Sequence, residues 1–302
     1  MTGPQTSLGG SLSAPTMSAA ATAPASPDDA APFSDARLLS FNQATAERAS
    51  LREVVEACAR HGVPYVSLWR HKIAETGLDN AAKLVRDAGL KVSSVCRGGM
   101  FPALTAAERA QRIDDNRRAI DEAATLGAEV LVLVCGAAPD RDIAAARAMV
   151  ADGIAAVAPY AKERGVRLGI EPLHPAFAAE RSCITTMREA RLISEQFDSA
   201  NVGVVVDVYH VWWDPERAQE IAALGDRIAG YHVNDWLVPV KNVLMNRGMM
   251  GDGVIELRRI RGEIERAGYR GPIEVEIFNE AIWERSVDEL VQQTKQRFVE
   301  HA

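Results

Sequence analysis

The sequence has no Lys/Arg-rich run, no C-x-x-C pair and no glycine-rich phosphate loop. Each absence excludes something. The formal net charge is −7, with 41 acidic and 34 basic residues mixed along the chain. Nucleic-acid backbones and anionic membrane surfaces are held by clustered cations, so neither is expected as a partner. The cysteines are Cys58, Cys96, Cys135 and Cys183, scattered and mostly in apolar segments. They read as reduced, buried thiols of a cytoplasmic protein. No uninterrupted apolar run approaches the ~18 residues of a membrane span. Residues 1–32 contain no lysine or arginine and are mainly Ala, Ser, Thr, Gly and Pro. Lacking a basic n-region and an apolar h-region, they do not read as a secretory signal. Lacking bulky apolar surface, they read as a disordered tail.

What is present is a rhythm. The chain has 302 residues, 47% of them hydrophobic, enough for one large core. From Arg37 onward, short strand-like runs alternate with longer helix-like stretches. The strands are expected at 38–43, 65–69, 91–96, 130–134, 167–171, 202–207, 228–233 and 273–278. Several are continuous apolar runs, as in parallel strands buried on both faces. Segments 47–62 and 106–127 carry apolar residues at helical spacing and end at a glycine suited to a helix cap. Eight such units predict a (β/α)8 TIM barrel over residues 33–302. An open doubly wound sheet would more often place a glycine-rich loop after its first strand. That position reads FNQAT.

In such a barrel the chemistry lies at the carboxyl ends of the strands. RLGIE ends in Glu171, VGVVVD in Asp207, IAGYHV carries His232, and IEVEIF carries Glu276. Each sits at the edge of an apolar run. Three carboxylates converging there would repel one another and resist desolvation unless a cation neutralised them. One divalent metal resolves that conflict. Three oxygen ligands and one nitrogen suit Mn²⁺, Mg²⁺ or Co²⁺ better than structural zinc.

The ordered series E…D-x-x-H…H-x-x-D…E resembles that of the xylose isomerase-like barrel superfamily, over about residues 37–300. The resemblance implies one divalent metal, most commonly Mn²⁺, held by Glu171, Asp207, His232 and Glu276. It further implies that Glu171 and Glu276 form the acid/base pair and that His210 contacts substrate oxygens. In the free-ketose 3-epimerase branch of the superfamily a glutamate follows the first ligand by six residues, and an arginine follows the metal-binding histidine by six. Here those positions are Phe177 and Val238, which counts against simple ketohexose epimerisation.

A wider set surrounds these positions. His174 and Asp235 follow Glu171 and His232 by three, the first as a substrate contact, the second as a residue orienting a ligand. Trp69 and Trp213 offer indole faces for sugar C–H faces, and Arg97 and Arg247 are donors for hydroxyl or carboxylate groups. The expected activity is sugar, keto-sugar or inosose isomerisation or epimerisation, by proton abstraction α to a carbonyl through a metal-stabilised enediolate. A dehydratase or lyase would use the same enolate. A metal-dependent nuclease would call for more than six histidines and a cationic groove, and an inactive binding barrel would tolerate loss of a ligand. The expected partner is a small carbohydrate, with self-association left open.

Overall fold

The computed structural model describes residues 29–302. Eight parallel strands close into a barrel. They are β1 (Leu39–Asn42), β2 (Tyr65–Trp69), β3 (Lys91–Gly99), β4 (Val130–Val134), β5 (Arg167–Ile170), β6 (Val202–Asp207), β7 (Ile228–Val233) and β10 (Ile273–Val275). β10 pairs with both β7 and β1, which completes the ring. Between β7 and β10 lies a short antiparallel ribbon, β8 (Asp235–Trp236) with β9 (Arg247–Gly248). The expected (β/α)8 barrel is present. The ribbon has no counterpart in the sequence reading, because two-residue strands carry too little pattern to register.

The outer helices start and stop where local chemistry dictates. Helix Leu51–His61 opens with a reciprocal cap between Ser50 and Glu53, and helix Ala106–Leu126 with one between Thr105 and Glu108. In each, two otherwise orphaned backbone N–H groups find acceptors. The first helix closes on Gly62 at φ 67, a left-handed conformation that glycine adopts without a steric penalty. Helix Ile143–Glu163 reaches the length and mean hydropathy, 1.2, of a membrane-crossing segment. The alanine-rich sequence accounts for this, and its Val150, Ile154 and Val157 pack into the core as one of the outer helices.

Residues 1–28 of the expected tail lie outside the described residues. Residues 29–32, which composition assigns to that tail, lie against the barrel. The Ala30 amide donates to the Arg258 carbonyl at 3.0 Å, and Arg261 donates to the Ala31 carbonyl. Phe33 stacks on Phe298 at 4.8 Å between ring centroids, beneath the Arg261 guanidinium. Anchoring by two backbone acceptors and one aromatic ring is invisible to composition. All four cysteines are free and buried, as expected.

The barrel interior also holds polar side chains. Ser40, Ser67, Ser93, Ser94, Asn42 and Glu274 are all buried. In IEVEIF, Ile273, Val275 and Ile277 belong to the core while Glu274 and Glu276, two residues apart, share the inward face.

Candidate metal centre

Strand register assembles the site. Asp207 and His232 are direct partners across β6 and β7, and His232 and Glu274 are partners across β7 and β10. Glu171 follows the last residue of β5, and Glu276 the last residue of β10. Glu171, Asp207, His232 and Glu276 are all buried, and one donor atom from each lies within 4.8 Å of the others. Ligands ~2.1 Å from one small cation stand no more than ~4.2 Å apart, so small side-chain shifts close the set.

Two of these donors have no other occupation. Glu171 Oε1 and His232 Nδ1 are fully buried without a hydrogen-bond partner. They face each other at 3.3 Å without hydrogen-bond geometry. Leaving a buried carboxylate oxygen and a ring nitrogen unsatisfied is costly, and a cation between them satisfies both. The residues present therefore fit a divalent metal.

The surrounding charges hold the four side chains in place. Arg247 Nη1 donates to Asp207 Oδ2 at 2.8 Å and to Glu276 Oε2 at 2.9 Å. Its guanidinium lies over the rings of Tyr209 and Phe278, at 4.6 and 5.0 Å. Asp207 Oδ1 accepts from the Tyr209 amide and from Asn234 Nδ2. Asn42 Nδ2 donates to Glu276 Oε1 at 3.0 Å and to Glu274 Oε1 at 2.6 Å, and Asn42 Oδ1 accepts from Trp69 Nε1. Burial pushes the Glu276 carboxyl up to about 8 against the pull of Arg247. Burial also works to raise Asp207, but the Arg247 guanidinium outweighs it and holds that carboxyl below its ordinary value. For His232, burial opposes the charged ring. The carboxylates of Glu274, Glu171 and Glu276 prevail and lift it to about 10.

Glu274 completes the geometry. Its Oε1 lies 3.5 Å from His232 Nε2, and its Oε2 accepts from Ser93 and Ser94 at 3.1 and 2.9 Å. A carboxylate accepts only, so it favours the His232 tautomer with the proton on Nε2 and the Nδ1 lone pair free. Removing its charge with Glu274→Gln should weaken metal binding about 10- to 100-fold, the usual effect of losing such a partner. Calorimetric titration with Mn²⁺ measures this. Unchanged affinity would assign Glu274 to packing alone.

Above the cluster opens a small, partly enclosed cavity. Glu171, Glu276, His210 and Arg247 line it, with Trp69, Phe177 and Phe278 as apolar walls and Arg97 and Arg181 beside them. His210 is buried, and burial pushes its ring down to about 3, so it is neutral. The His174 amide donates to its Nδ1 at 3.1 Å, which leaves the ring proton on Nε2, the side of Asp207 and Arg247. Arg247 Nη2, 3.2 Å from Nε2, is then a close approach of two donors.

Of the other residues picked from sequence, Arg247 lines the cavity and is bonded to two of the four candidate ligands, whereas three lie away from the cavity. His174 is held between Trp213 and Trp236, with its Nδ1 accepting from the Ala176 amide, and does not line the cavity. Trp213 is 36% exposed and donates to the His210 carbonyl, so it braces that turn from outside. Asp235 is buried and turned into the loop, where it accepts from the amides of Trp236, Gly251 and Ile255. A Cβ on Gly253 would come within 2.5 Å of its Oδ1, so that cradle needs glycine. Asp235 thus shapes the loop that delivers Arg247. Sequence reasoning missed Asn42, Glu274, Arg181 and Phe278. Only Glu274 left a signal, the inward i, i+2 alternation of IEVEIF.

Comparison with known proteins agrees with this picture. The family model described as "Xylose isomerase-like TIM barrel" matches residues 55–297. A 3-dehydroshikimate dehydratase of Pseudomonas aeruginosa is 26% identical over 238 residues, which is 76% of this chain and 36% of that protein. The chain thus spans about a third of the length of that relative. Protein SMc04130 of Sinorhizobium meliloti 1021 superposes with a TM-score of 0.86 at 49% identity, over 88% of this chain and 99% of that one. The IOLI protein, solved with a zinc atom, superposes with a TM-score of 0.77 at 21% identity, over 87% of this chain and 96% of that one. With a closed eight-stranded barrel and a family match across most of its length, this chain belongs to the xylose isomerase-like TIM-barrel family.

Proposed function

We propose that the chain is a divalent-metal-dependent enzyme that moves a proton α to the carbonyl of a small hydroxylated substrate, by isomerisation or epimerisation. The observation that carries this is the pair Glu171 and Glu276. Both are buried, both line the cavity, and both belong to the candidate metal cluster. The bound cation, Mn²⁺ in this reading, supplies Lewis-acid stabilisation of the negative charge that develops on oxygen. Everything else falls to the chain. One glutamate takes the α-proton and the other returns one, to the opposite face or to the neighbouring carbon. His210 Nε2–H donates to a substrate oxygen. Trp69, Phe177 and Phe278 exclude water from the reacting carbon.

A second reading is a dehydratase, in which the same enediolate expels a β-hydroxyl. The similarity to a 3-dehydroshikimate dehydratase favours it. So does Phe177, an apolar ring in the cavity wall at a position where the ketose 3-epimerases have a glutamate.

Proton NMR in D₂O with Mn²⁺-loaded protein tests the shared first half. A panel of ketoses, inososes, 3-keto-glycosides and keto-sugar acids should include at least one that gains deuterium next to its carbonyl. The uptake should stop when metal is chelated. No uptake across the panel would remove both readings. Loss of a hydroxyl alongside uptake would select the dehydratase.

A further inference from the structure

Arg97, Arg181 and Arg247 all line the cavity over the metal cluster. Their situations differ. Arg247 is committed to Asp207 and Glu276. Arg97 and Arg181 are half-buried, and among the described residues neither guanidinium has an ion pair or a hydrogen bond. Other arginines drawn into the protein have partners: Arg70 pairs with Asp115 and Glu122, Arg191 with Glu195 and Glu220, Arg217 with Glu263, and Arg167 and Arg227 donate to backbone carbonyls. Arg97 and Arg181 also line an adjoining open recess, shared with Met100, Val134 and Glu180. Glu180 is exposed and forms no ion pair with either. The Arg181 head lies 5.8 Å from the Phe177 ring centroid, which keeps it on the cavity wall. Burial and the like charges of Arg97 and Arg247 push the Arg181 guanidinium below its ordinary value. Two guanidinium groups lining one cavity, neither tied into an ion pair or hydrogen bond among the described residues, offer free donors to an anion in a protein of net charge −7.

We infer that the substrate is a hydroxylated keto acid whose carboxylate is received by Arg97 and Arg181, while its carbonyl end faces Glu171 and Glu276. This rests on the proposed proton-transfer reading and adds to it the charge of the substrate. It also accounts for Phe177. The Phe177 ring lies beside the Arg181 guanidinium, so at that position an apolar side chain backs the anion-binding arginine instead of offering a polar hook of its own. A carboxylate is chosen over a phosphate because no lysine and no glycine-rich loop lies among the lining residues of the cavity or the recess.

The test uses Mn²⁺-loaded protein and three unreactive probes of similar size: D-gluconate, D-glucitol and D-glucitol 6-phosphate. Calorimetry should show gluconate binding at least ~10-fold tighter than glucitol, since a hydrogen bond to a charged group is stronger than one between neutral groups. Arg97→Met and Arg181→Met should each remove most of that preference. Mn²⁺ affinity and melting temperature should stay unchanged in both variants, which shows that the fold and metal site are intact, and glucitol binding should fall far less than gluconate binding. Equal affinity for gluconate and glucitol, or no binding of gluconate, would overturn the inference. So would a preference that survives both substitutions, or a stronger preference for the phosphate ester. Failure here leaves the proton-transfer reading standing if neutral ketoses take up deuterium. Conversely, a gluconate preference without deuterium uptake on any substrate would retain the anion site and remove that reading.

Discussion

Glu171→Gln and Glu276→Gln should each lower turnover by more than ~10²-fold, the lower end for loss of a general base, while much of the bound metal is retained. Glutamine keeps the side-chain shape and a carbonyl oxygen for the metal but loses the basic oxygen. The two variants should not behave alike. Glu171 Oε1 has no hydrogen-bond partner, so glutamine there can orient freely. Glu276 accepts from Asn42 on one oxygen and from Arg247 on the other. Its glutamine must turn an NH₂ group toward one of those donors, so Glu276→Gln should also be the less stable protein. If each glutamate serves one face of the substrate, one variant should still exchange the α-proton with D₂O without forming product, and the other should exchange nothing. Both variants turning over at near wild-type rates with metal bound would reduce the glutamates to ligands. The proton-transfer role would then pass to His210.

Arg247→Met should destabilise the metal-free protein by about 3–5 kcal/mol, the usual result of removing one partner from a buried ion pair. Arg247 is only 3% exposed and is the donor shared by Asp207 and Glu276. Methionine keeps much of the stem that packs against Tyr209 and Phe278 but leaves two buried carboxylates without their cation. A divalent metal neutralises the same carboxylates. The deficit measured by urea unfolding should therefore shrink when Mn²⁺ is saturating. An Arg247→Met protein as stable as wild type without metal would show that the carboxylates find another counter-charge.

The barrel was legible because its signal is repetitive. Runs such as VLVLV and VGVVVD are long, apolar and bounded by helix caps, and burial on both faces leaves them little other fate. The four candidate ligands were legible for the same reason, since a carboxylate or imidazole at the end of an apolar strand stands out. Arg247 and Asp235 were named, but their roles were not, because a two-residue ribbon and a glycine-dependent loop decide where they point. Asn42, Ser93 and Ser94 escaped because a small polar residue in a strand looks the same whether it meets water or a buried carboxylate. Arg181 lies in irregular chain with no periodicity to place it. The docking of residues 29–33 rests on a few specific contacts, which composition averages away.

The metal centre itself is tested most directly by titrating exhaustively chelated protein with Mn²⁺ and counting bound ions by electron paramagnetic resonance. One ion should bind per chain, and the melting temperature should rise with occupancy because the ion binds only the folded site. Asp207→Ala and His232→Ala should each weaken that binding at least ~10-fold. Absence of a stoichiometric site, or one that both substitutions leave untouched, would contradict the assignment of Glu171, Asp207, His232 and Glu276 as metal ligands.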